Sequence, residues 1–189
     1  MTFVQEKTGA LNNYIASKSA GDVDTPIIPL LDYINGLEDF YSTSSCSGRI
    51  ALLDFNGVKG EGGFFGMWHE PVDLKTVLAE IKKPEYTLWF KVEPAIFHIA
   101  ARSVEDALTF LQVCRDSGYK RGGVQSAKKE RVIIEIVGTK KIECPIMNAD
   151  GMLVTEEYVK QLVEIGNKYL KDGEKQVKRL EENLKKRCG

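Results

Sequence analysis

The sequence has few of the residues that are typical of a metal or redox centre. Its 189 residues include two histidines and four cysteines, and the cysteines form no Cys-x-x-Cys pair. Cys46, Cys114, Cys144 and Cys188 have no histidine at ligand spacing, which argues against a structural zinc site, and we expect no bound metal. No apolar run approaches the roughly 20 residues of a membrane span, and no charged and apolar leader opens the chain. We therefore expect reduced thiols and a cytoplasmic location.

Net charge and nucleotide-binding motifs are also lacking. The 26 Lys and Arg residues nearly balance the 27 Asp and Glu residues, giving a net charge of -1 with neutral histidines. This balance neither requires nor excludes a nucleic-acid partner, because phosphate recognition depends on a local basic patch. Residues 56–66 hold five glycines, but their spacing matches neither a dinucleotide fingerprint nor a P-loop. We expect a hairpin or flexible loop there.

The hydrophobic pattern predicts a mixed α+β fold. Helical spacing predicts helices over residues 3–17, 26–37, 73–81 and 103–118, and another from residue 155 onward. Aromatic and β-branched runs predict strands over residues 41–45, 50–55, 64–69, 87–101, 122–126, 131–137 and 141–146. Because helices and strands do not alternate regularly, we expect a mainly antiparallel sheet with flanking helices. A loosely recurring sheet-helix pattern in the two halves would be explained by an internal duplication.

Local signals refine two of these elements. Ser103 is a suitable N-cap for a helix that ends at Gly118 and turns Val104, Leu108 and Cys114, with Ala107 and Leu111, toward the core. We therefore expect a core thiol at Cys114. The strand over residues 87–101 is expected to break at Glu93-Pro94, since proline cannot donate to a neighbouring strand.

The end of the chain is expected to form a charged helix. Residues 168–187 contain eight Lys or Arg and four acidic residues, an excess of 8 − 4 = +4. We expect residues 1–171 to form one catalytic domain and residues 172–189 a helical extension that is nearly free of core residues. The extension is either a solvated helix with i,i+4 ion pairs or a basic arm that lies along a polyanion.

The donor-rich segment over residues 42–50 is the clearest pointer to a ligand site. It contains five hydroxyl side chains, one thiol and one guanidinium. We expect a loop whose serines donate hydrogen bonds to a ligand while Arg49 clamps a carboxylate or phosphate. Cys46 is an alternative nucleophile because the nearby guanidinium favours a thiolate, although such a nucleophile needs an oriented base.

Both histidines have two interpretations. His69 follows Trp68 at a predicted strand end, so it either enters a cleft or packs against the strand. The two neighbours can serve one site only if the backbone is irregular there, because adjacent strand residues point to opposite faces. His98 alternates with Ile96 and Ala100, so it is either a core histidine or a ligand contact from the sheet face.

Several motifs, taken in order, resemble a known family. They are Ser44-Ser45-Cys46-Ser47-Gly48-Arg49, Trp68-His69, Phe90-Lys91-Val92-Glu93-Pro94 with Ile96 to His98, Ser117-Gly118-Tyr119-Lys120 and Val154-Thr155-Glu156-Glu157-Tyr158. The chain resembles the tRNA wybutosine-synthesising protein 3 family, which comprises the tRNA(Phe) 7-aminocarboxypropyl-wyosine-type methyltransferases. The resemblance covers nearly its whole length, and the Trp-His arrangement and compact length look archaeal in style. Two departures are Gly122 in Lys120-Arg121-Gly122-Gly123, where the family pattern is closer to basic-x-Ser-Gly, and Ala20 at a usually more polar position.

This resemblance implies S-adenosylmethionine-dependent methylation of a ring nitrogen in the tricyclic guanosine at position 37, with the tRNA(Phe) anticodon loop as partner. It also implies a fold peculiar to the family. We expect His69, His98 and Cys46 as candidate catalytic residues. Ser44, Ser45, Ser47, Arg49 and Glu93 are expected to contact the cofactor. Trp68, Lys91, Arg102, Lys120 and Arg121 are expected to contact the substrate.

Two other classes of protein stay open from the sequence. A non-catalytic RNA-binding or scaffold protein would use the same aromatic and basic residues but would show no saturable binding of S-adenosylmethionine. A thiol-dependent hydrolase would need no cofactor and would lose activity when Cys46 is alkylated.

Overall fold

The computed structural model describes residues 2–58 and 60–188, with Cys188 described by its backbone alone. Within them the helices are α1 (Phe3–Ala20), α2 (Ile28–Gly36), α3 (Leu74–Glu80), α4 (Val104–Asp116) and α5 (Glu156–Cys188). The strands are β1 (Phe40–Asp54), β2 (Gly63–Trp68), β3 (Leu88–Ala101), β4 (Arg121–Lys128), β5 (Arg131–Val137), β6 (Ile142–Asn148) and β7 (Gly151–Met152). The strand order is β2-β1-β3-β5-β4, with β6 beside β3 and β7 beside β6. The predicted α+β class with an antiparallel sheet is confirmed.

The chain divides into two compact units. Unit 1 comprises the described residues of Met1–Ser47, Ala95–Thr139 and Gly173–Gly189, and unit 2 comprises those of Gly48–Pro94 and Lys140–Asp172. The expected internal duplication stays a prediction. None of the helices in the described chain has the length and apolar character of a membrane span.

The core of unit 1 lies on one face of β3 and β5. Phe97 and Ile99 of β3 flank the half-buried His98, and both are fully buried among α2, α4 and the second half of α5. In β5 the buried residue Ile134 pairs directly with Ile99, so the two strands present one continuous apolar face. The opposite face holds a smaller cluster around Phe3 of α1.

Helix α4 shows how far local signals define an element. The Ser103 hydroxyl accepts from the backbone N–H of Asp106, whose carboxylate accepts from the Ser103 N–H, so the predicted N-cap is a full capping box. Cys114 is buried as predicted, and burial raises the pKa of its thiol. Val104 and Leu108 were expected in the core, but they are 53% and 59% exposed, so that expectation is wrong. Each residue turns the helix by about 100°, and the buried face is centred nearer Phe110 than Leu108.

The core of unit 2 is built by β1, β3, α3 and the first half of α5. Ile50 and Val92 are buried against α5, whose Gly166 allows a close approach. A Cβ on Gly166 would lie 3.1 Å from Ile50 Cδ1 and 3.1 Å from Val92 Cγ2, which is tighter than ordinary packing. The glycine is therefore a contact residue between helix and sheet.

The second half of α5 corrects one expectation. Val177, Leu180 and Leu184 lie three or four residues apart and are buried in the core of unit 1. The expectation that residues 172–189 are nearly free of core residues is therefore wrong. The division of the chain into a catalytic domain and a charged extension stays a prediction.

The loop predicted to join the strands over residues 41–45 and 50–55 is also wrong, because the joining residues lie inside the continuous strand β1. Short hydroxyl side chains are compatible with a strand, so a polar composition alone does not interrupt the backbone hydrogen bonds. The Ser42 N–H also donates to Asn35 Oδ1 at 2.8 Å. At Gly48 φ is 96°, a conformation that glycine adopts without steric strain.

The predicted break at Glu93-Pro94 does not interrupt β3 either. Residues 88–92 pair with β6 and residues 96–101 pair with β5, so the neighbouring strand changes around the proline. A proline without an N–H fits this position because the strand neighbour on that side is changing.

Candidate functional site

A hydrogen-bonded chain of three side chains lies on the open face of the unit 1 sheet. His98 stands between the buried Phe97 and Ile99, so its ring projects away from the core. Glu135 is the direct cross-strand partner of His98 and projects to the same face. The ring joins two neighbours, since Nδ1 is 2.9 Å from Ser44 Oγ and Nε2 is 2.7 Å from Glu135 Oε2.

The carboxylate fixes the tautomer of the imidazole. A carboxylate only accepts, so His98 donates through Nε2–H to Glu135. In the neutral ring Nδ1 is then the acceptor, and Ser44 donates its hydroxyl proton to it. The arrangement places a basic nitrogen behind an exposed hydroxyl group, which can pass a proton inward. His98 is therefore not a core histidine.

Glu135 is a residue that sequence reasoning missed. It stands between the buried Ile134 and Ile136, so the alternation in β5 already indicated an outward carboxylate. Its position opposite His98 depends on strand register, which the sequence does not show. Gln125 of β4 completes the chain by donating to Glu135 Oε1 at 3.0 Å.

A groove of about 670 Å³ lies in unit 1 between α1 and the first residues of β1. Its walls include Glu6, Asn13 and Tyr14 of α1, the hydroxyl run Thr43 to Ser45, and Arg131. Two buried polar atoms of groove residues, Ser45 Oγ and Arg131 Nε, have no hydrogen-bond partner among the described atoms. Buried polar atoms usually have partners, so this groove is suited to a polar ligand.

The polar wall of the groove is held by α1. Arg131 Nη1 lies 3.0 Å from Glu6 Oε2, and the Tyr41 hydroxyl donates to the same oxygen at 3.1 Å. Burial and this bond to Glu6 raise the pKa of Tyr41, so it stays a neutral donor. Burial and a hydrogen bond to Asp32 likewise raise the pKa of Tyr14.

The next residues of β1 are less exposed. The buried Ser47 donates its backbone N–H to Asp24 Oδ2 at 2.7 Å. Cys46 carries a half-buried thiol. Their expected roles, in cofactor binding and catalysis respectively, stay predictions.

In unit 2 the predicted residues form a row of ion pairs across the open face of the sheet. Arg49 Nε lies 2.6 Å from Glu93 Oε2, and Lys91 Nζ bridges Glu93 at 3.4 Å and Glu143 at 3.0 Å. Hydrogen bonds from Lys141 and Lys91 lower the pKa of Glu143. Arg49 and Glu93 were both expected to contact the cofactor, and in this structure they contact each other. That they bind the cofactor stays a prediction.

Trp68 and His69 differ in surroundings. Strand β2 ends at Trp68 and a bend follows, so the irregular backbone predicted there is confirmed. The Trp68 ring packs against the core of unit 2 and over Gly66, where a Cβ would lie 2.3 Å from the ring. His69 Nδ1 lies 3.1 Å from the Gly48 carbonyl oxygen, so it is the donor nitrogen and Nε2 is the acceptor in the neutral ring.

The remaining basic candidates lie in unit 1. Arg102 is engaged by Asp39 at 2.5 Å and stacks on the Phe3 ring at 4.8 Å, so it has a structural role. Lys120 and Arg121 are exposed. Their expected contacts with substrate, and that of Arg102, stay predictions.

The departure from the family pattern at Gly122 has a physical cause. A Cβ there would lie 2.8 Å from Ile136 Cγ2 and 2.9 Å from the Glu135 carbonyl oxygen. A serine at this position would therefore force β4 away from β5.

Comparison with known proteins agrees with the motifs. The family profile described as Methyltransferase TYW3 matches residues 5–186. A Pyrococcus furiosus protein named tRNA(Phe) 7-((3-amino-3-carboxypropyl)-4-demethylwyosine(37)-N(4))-methyltransferase 1 is 36% identical over 185 residues, which cover 96% of this chain and 94% of that protein. A mouse protein named tRNA wybutosine-synthesizing protein 3 homolog is 31% identical over 165 residues, covering 84% of this chain and 64% of the mouse protein.

Solved structures show the same likeness. The PH1069 protein from Pyrococcus horikoshii superimposes with a TM-score of 0.92 at 33% identity, covering 98% of this chain and 95% of that one. Similarity over nearly the full length favours the enzyme over the non-catalytic RNA-binding protein. The chain belongs to the TYW3 methyltransferase family.

Proposed function

We propose that the protein transfers a methyl group from S-adenosylmethionine to N4 of 7-(3-amino-3-carboxypropyl)-4-demethylwyosine at position 37 of tRNA(Phe), in the anticodon loop. The names of several archaeal relatives, each 32–36% identical, specify this reaction. Wybutosine biosynthesis in the cytoplasm is the corresponding pathway and location. The family membership supports the reaction class, and the geometry of unit 1 supports the proton chemistry.

The observation that carries the mechanism is the Ser44, His98 and Glu135 chain. Methylation of an N–H group releases one proton, which needs an acceptor. Ser44 Oγ takes that proton as its own hydroxyl proton moves to His98 Nδ1, 2.9 Å away. Glu135 at 2.7 Å then stabilises the charged imidazolium. Glu135 is a positioning residue because it acts through His98.

The groove residues in unit 1 fit the amino-acid end of the cofactor. When bound, S-adenosylmethionine supplies a methyl group activated by a sulfonium. Its carboxylate would accept hydrogen bonds from Ser45 Oγ and Arg131 Nε, the two buried atoms of groove residues that have no partner among the described atoms. Its ammonium group would be balanced by Glu6, which already pairs with Arg131. Ser44 lines the same groove, so cofactor and proton acceptor share one wall.

The direct test is methyl transfer with labelled S-adenosylmethionine. Purified tRNA(Phe) carrying the demethylwyosine derivative should gain label at N4, whereas tRNA(Phe) already methylated at N4 should gain none. Saturable cofactor binding should accompany the transfer. A protein that binds the tRNA but neither the cofactor nor the methyl group would contradict the proposal and support a scaffold.

A further inference from the structure

The register of β2 places one exposed aromatic ring on the open face of the unit 2 sheet. Leu52 of β1 pairs with Gly66, but the next residue, Leu53, pairs with Phe64, so Phe65 is an extra residue in the ladder. Such a bulge changes the face to which the following side chains point. Phe65 accordingly packs against the core of unit 2, while Phe64 is 50% exposed.

Phe64 thereby joins Arg49 on that face. Ile50 and Leu52 of β1 pack in the core of unit 2, and strand alternation places Arg49, the small and buried Ala51, and Leu53 on the opposite face. The Arg49 guanidinium carbon lies 5.2 Å from the centroid of the Phe64 ring, within the range of a cation–π contact.

The guanidinium is held from two further sides. Arg49 Nε pairs with Glu93 at 2.6 Å, and Nη1 lies 3.3 Å from the sulfur of Met67, itself an exposed residue. Arg49 is therefore a fixed planar cation beside an aromatic ring. We name Phe64, Arg49 and Met67 the aromatic face.

We propose that the aromatic face stacks on an unpaired base of the tRNA loop. This inference rests on the proposed function for the identity of the RNA. Aromatic and guanidinium planes on a sheet are a general means of binding unstacked bases. The neighbouring charges do not repel a polyanion, because the cations of the ion-pair row outnumber its anions. The cations are Arg49, Lys91 and Lys141, and the anions are Glu93 and Glu143.

The same geometry assigns stacking to Phe64 rather than to Trp68. Trp68 pairs with the buried Ile50 and packs against the core of unit 2, so its ring is partly buried by protein. A second protein is a different occupant for an exposed aromatic, and the experiment separates it from RNA.

The experiment uses a synthetic anticodon stem-loop with 2-aminopurine beside position 37, whose fluorescence is quenched by stacking. Wild-type protein should quench it. Phe64→Ala should weaken binding roughly 5- to 150-fold and abolish the quenching. Phe64→Tyr should restore both. The control is Leu153→Ala in the same unit, at a residue 51% exposed, which should bind like wild type.

The outcomes separate this inference from the proposed function. Phe64→Ala that stays folded with unchanged affinity and quenching overturns the aromatic face, even if wild-type protein methylates tRNA. Lower affinity with undiminished quenching also overturns it, because the base then stacks elsewhere. Absence of methyl transfer by wild-type protein contradicts the proposed function, and quenching by the same protein would still support the RNA contact.

Discussion

The two units carry the same kind of surface with different chemistry. Each has a sheet face buried by helices and an opposite face with charged or polar side chains. In unit 1 the open face holds Ser44, His98 and Glu135, joined by hydrogen bonds through an ionisable ring. In unit 2 it holds ion pairs such as Arg49 with Glu93, beside an exposed Phe64 ring.

From this difference we infer that unit 1 carries out proton transfer and that the open face of unit 2 recognises the tRNA. An imidazole between a hydroxyl and a carboxylate can accept a proton at one nitrogen and donate from the other. A guanidinium has donors and no acceptor, so it can hold a ligand but cannot act as a base. We therefore expect substitutions in unit 1 to change the rate of methyl transfer, and those on the open face of unit 2 to change affinity.

The largest effect should come from His98→Ala. Loss of the proton acceptor should slow single-turnover methylation by about 10²- to 10⁴-fold, while tRNA affinity stays close to wild type. His69→Ala is the matched variant, because His69 has its own donor bond to the Gly48 carbonyl. If His69→Ala is the slow variant and His98→Ala is not, the proton path runs through unit 2 and the contrast between the units is wrong.

Core substitutions in α5 should show that both units depend on this helix. Leu180→Ala in unit 1 and Leu162→Ala in unit 2 each remove a buried side chain, and each should cost about 2–5 kcal/mol in the free energy of unfolding. Chemical denaturation measures the loss. Lys178→Ala, at an exposed position of α5, is the control and should change stability by no more than about 0.5 kcal/mol. If Leu180→Ala leaves the free energy of unfolding unchanged, residues 172–189 are an extension that does not contribute to the core.

Arg49→Ala should weaken tRNA binding by about 1.5–3 kcal/mol, the usual value for a hydrogen bond to a charged group. The single-turnover rate at saturating tRNA should change little. Filter binding and rapid quench give the two quantities. Arg102→Ala provides a contrast, since Arg102 pairs with Asp39 and stacks on Phe3. Equal losses of affinity in both variants would indicate a general effect of positive charge.

The smallest effect should come from the exposed cations of α5. Lys175→Gln, Lys178→Gln and Arg179→Gln keep the buried stripe intact and remove charge. If these cations contact tRNA phosphates, each substitution should make the negative slope of log K for tRNA binding against log salt concentration less steep by about 0.7–0.9. An unchanged slope in the triple variant would identify this surface as a solvated helix face.

The sequence predicts elements whose signals are local. The capping box at Ser103 and the strand over residues 131–137 depend on neighbouring residues, and both were recognised. The buried stripe of α5 was missed although Val177, Leu180 and Leu184 have helical spacing, because the surrounding charges suggested a solvated helix. The continuity of β1 between the predicted strands over residues 41–45 and 50–55 was missed because polar composition was taken to indicate a loop.

The candidate sites depend on register, which is not local. His98 and Arg49 were identified from residue type, but Glu135 and Phe64 needed the pairing of distant strands. Glu135 becomes a neighbour of His98 only when β3 and β5 align. Phe64 reaches the side of Arg49 only through the extra residue in β2. A sequence pattern of period two predicts which face a side chain uses and does not predict its cross-strand partner.

The central claim is that unit 1 supplies proton transfer and the open face of unit 2 supplies recognition. It is tested most directly by measuring the single-turnover rate and the tRNA dissociation constant on Glu135→Gln and Phe64→Ala side by side. The account predicts a slower rate with unchanged affinity for Glu135→Gln, and partial recovery of the rate in Glu135→Asp. It predicts weaker binding with a wild-type rate at saturating tRNA for Phe64→Ala. Two folded variants that lose the same quantity would contradict it.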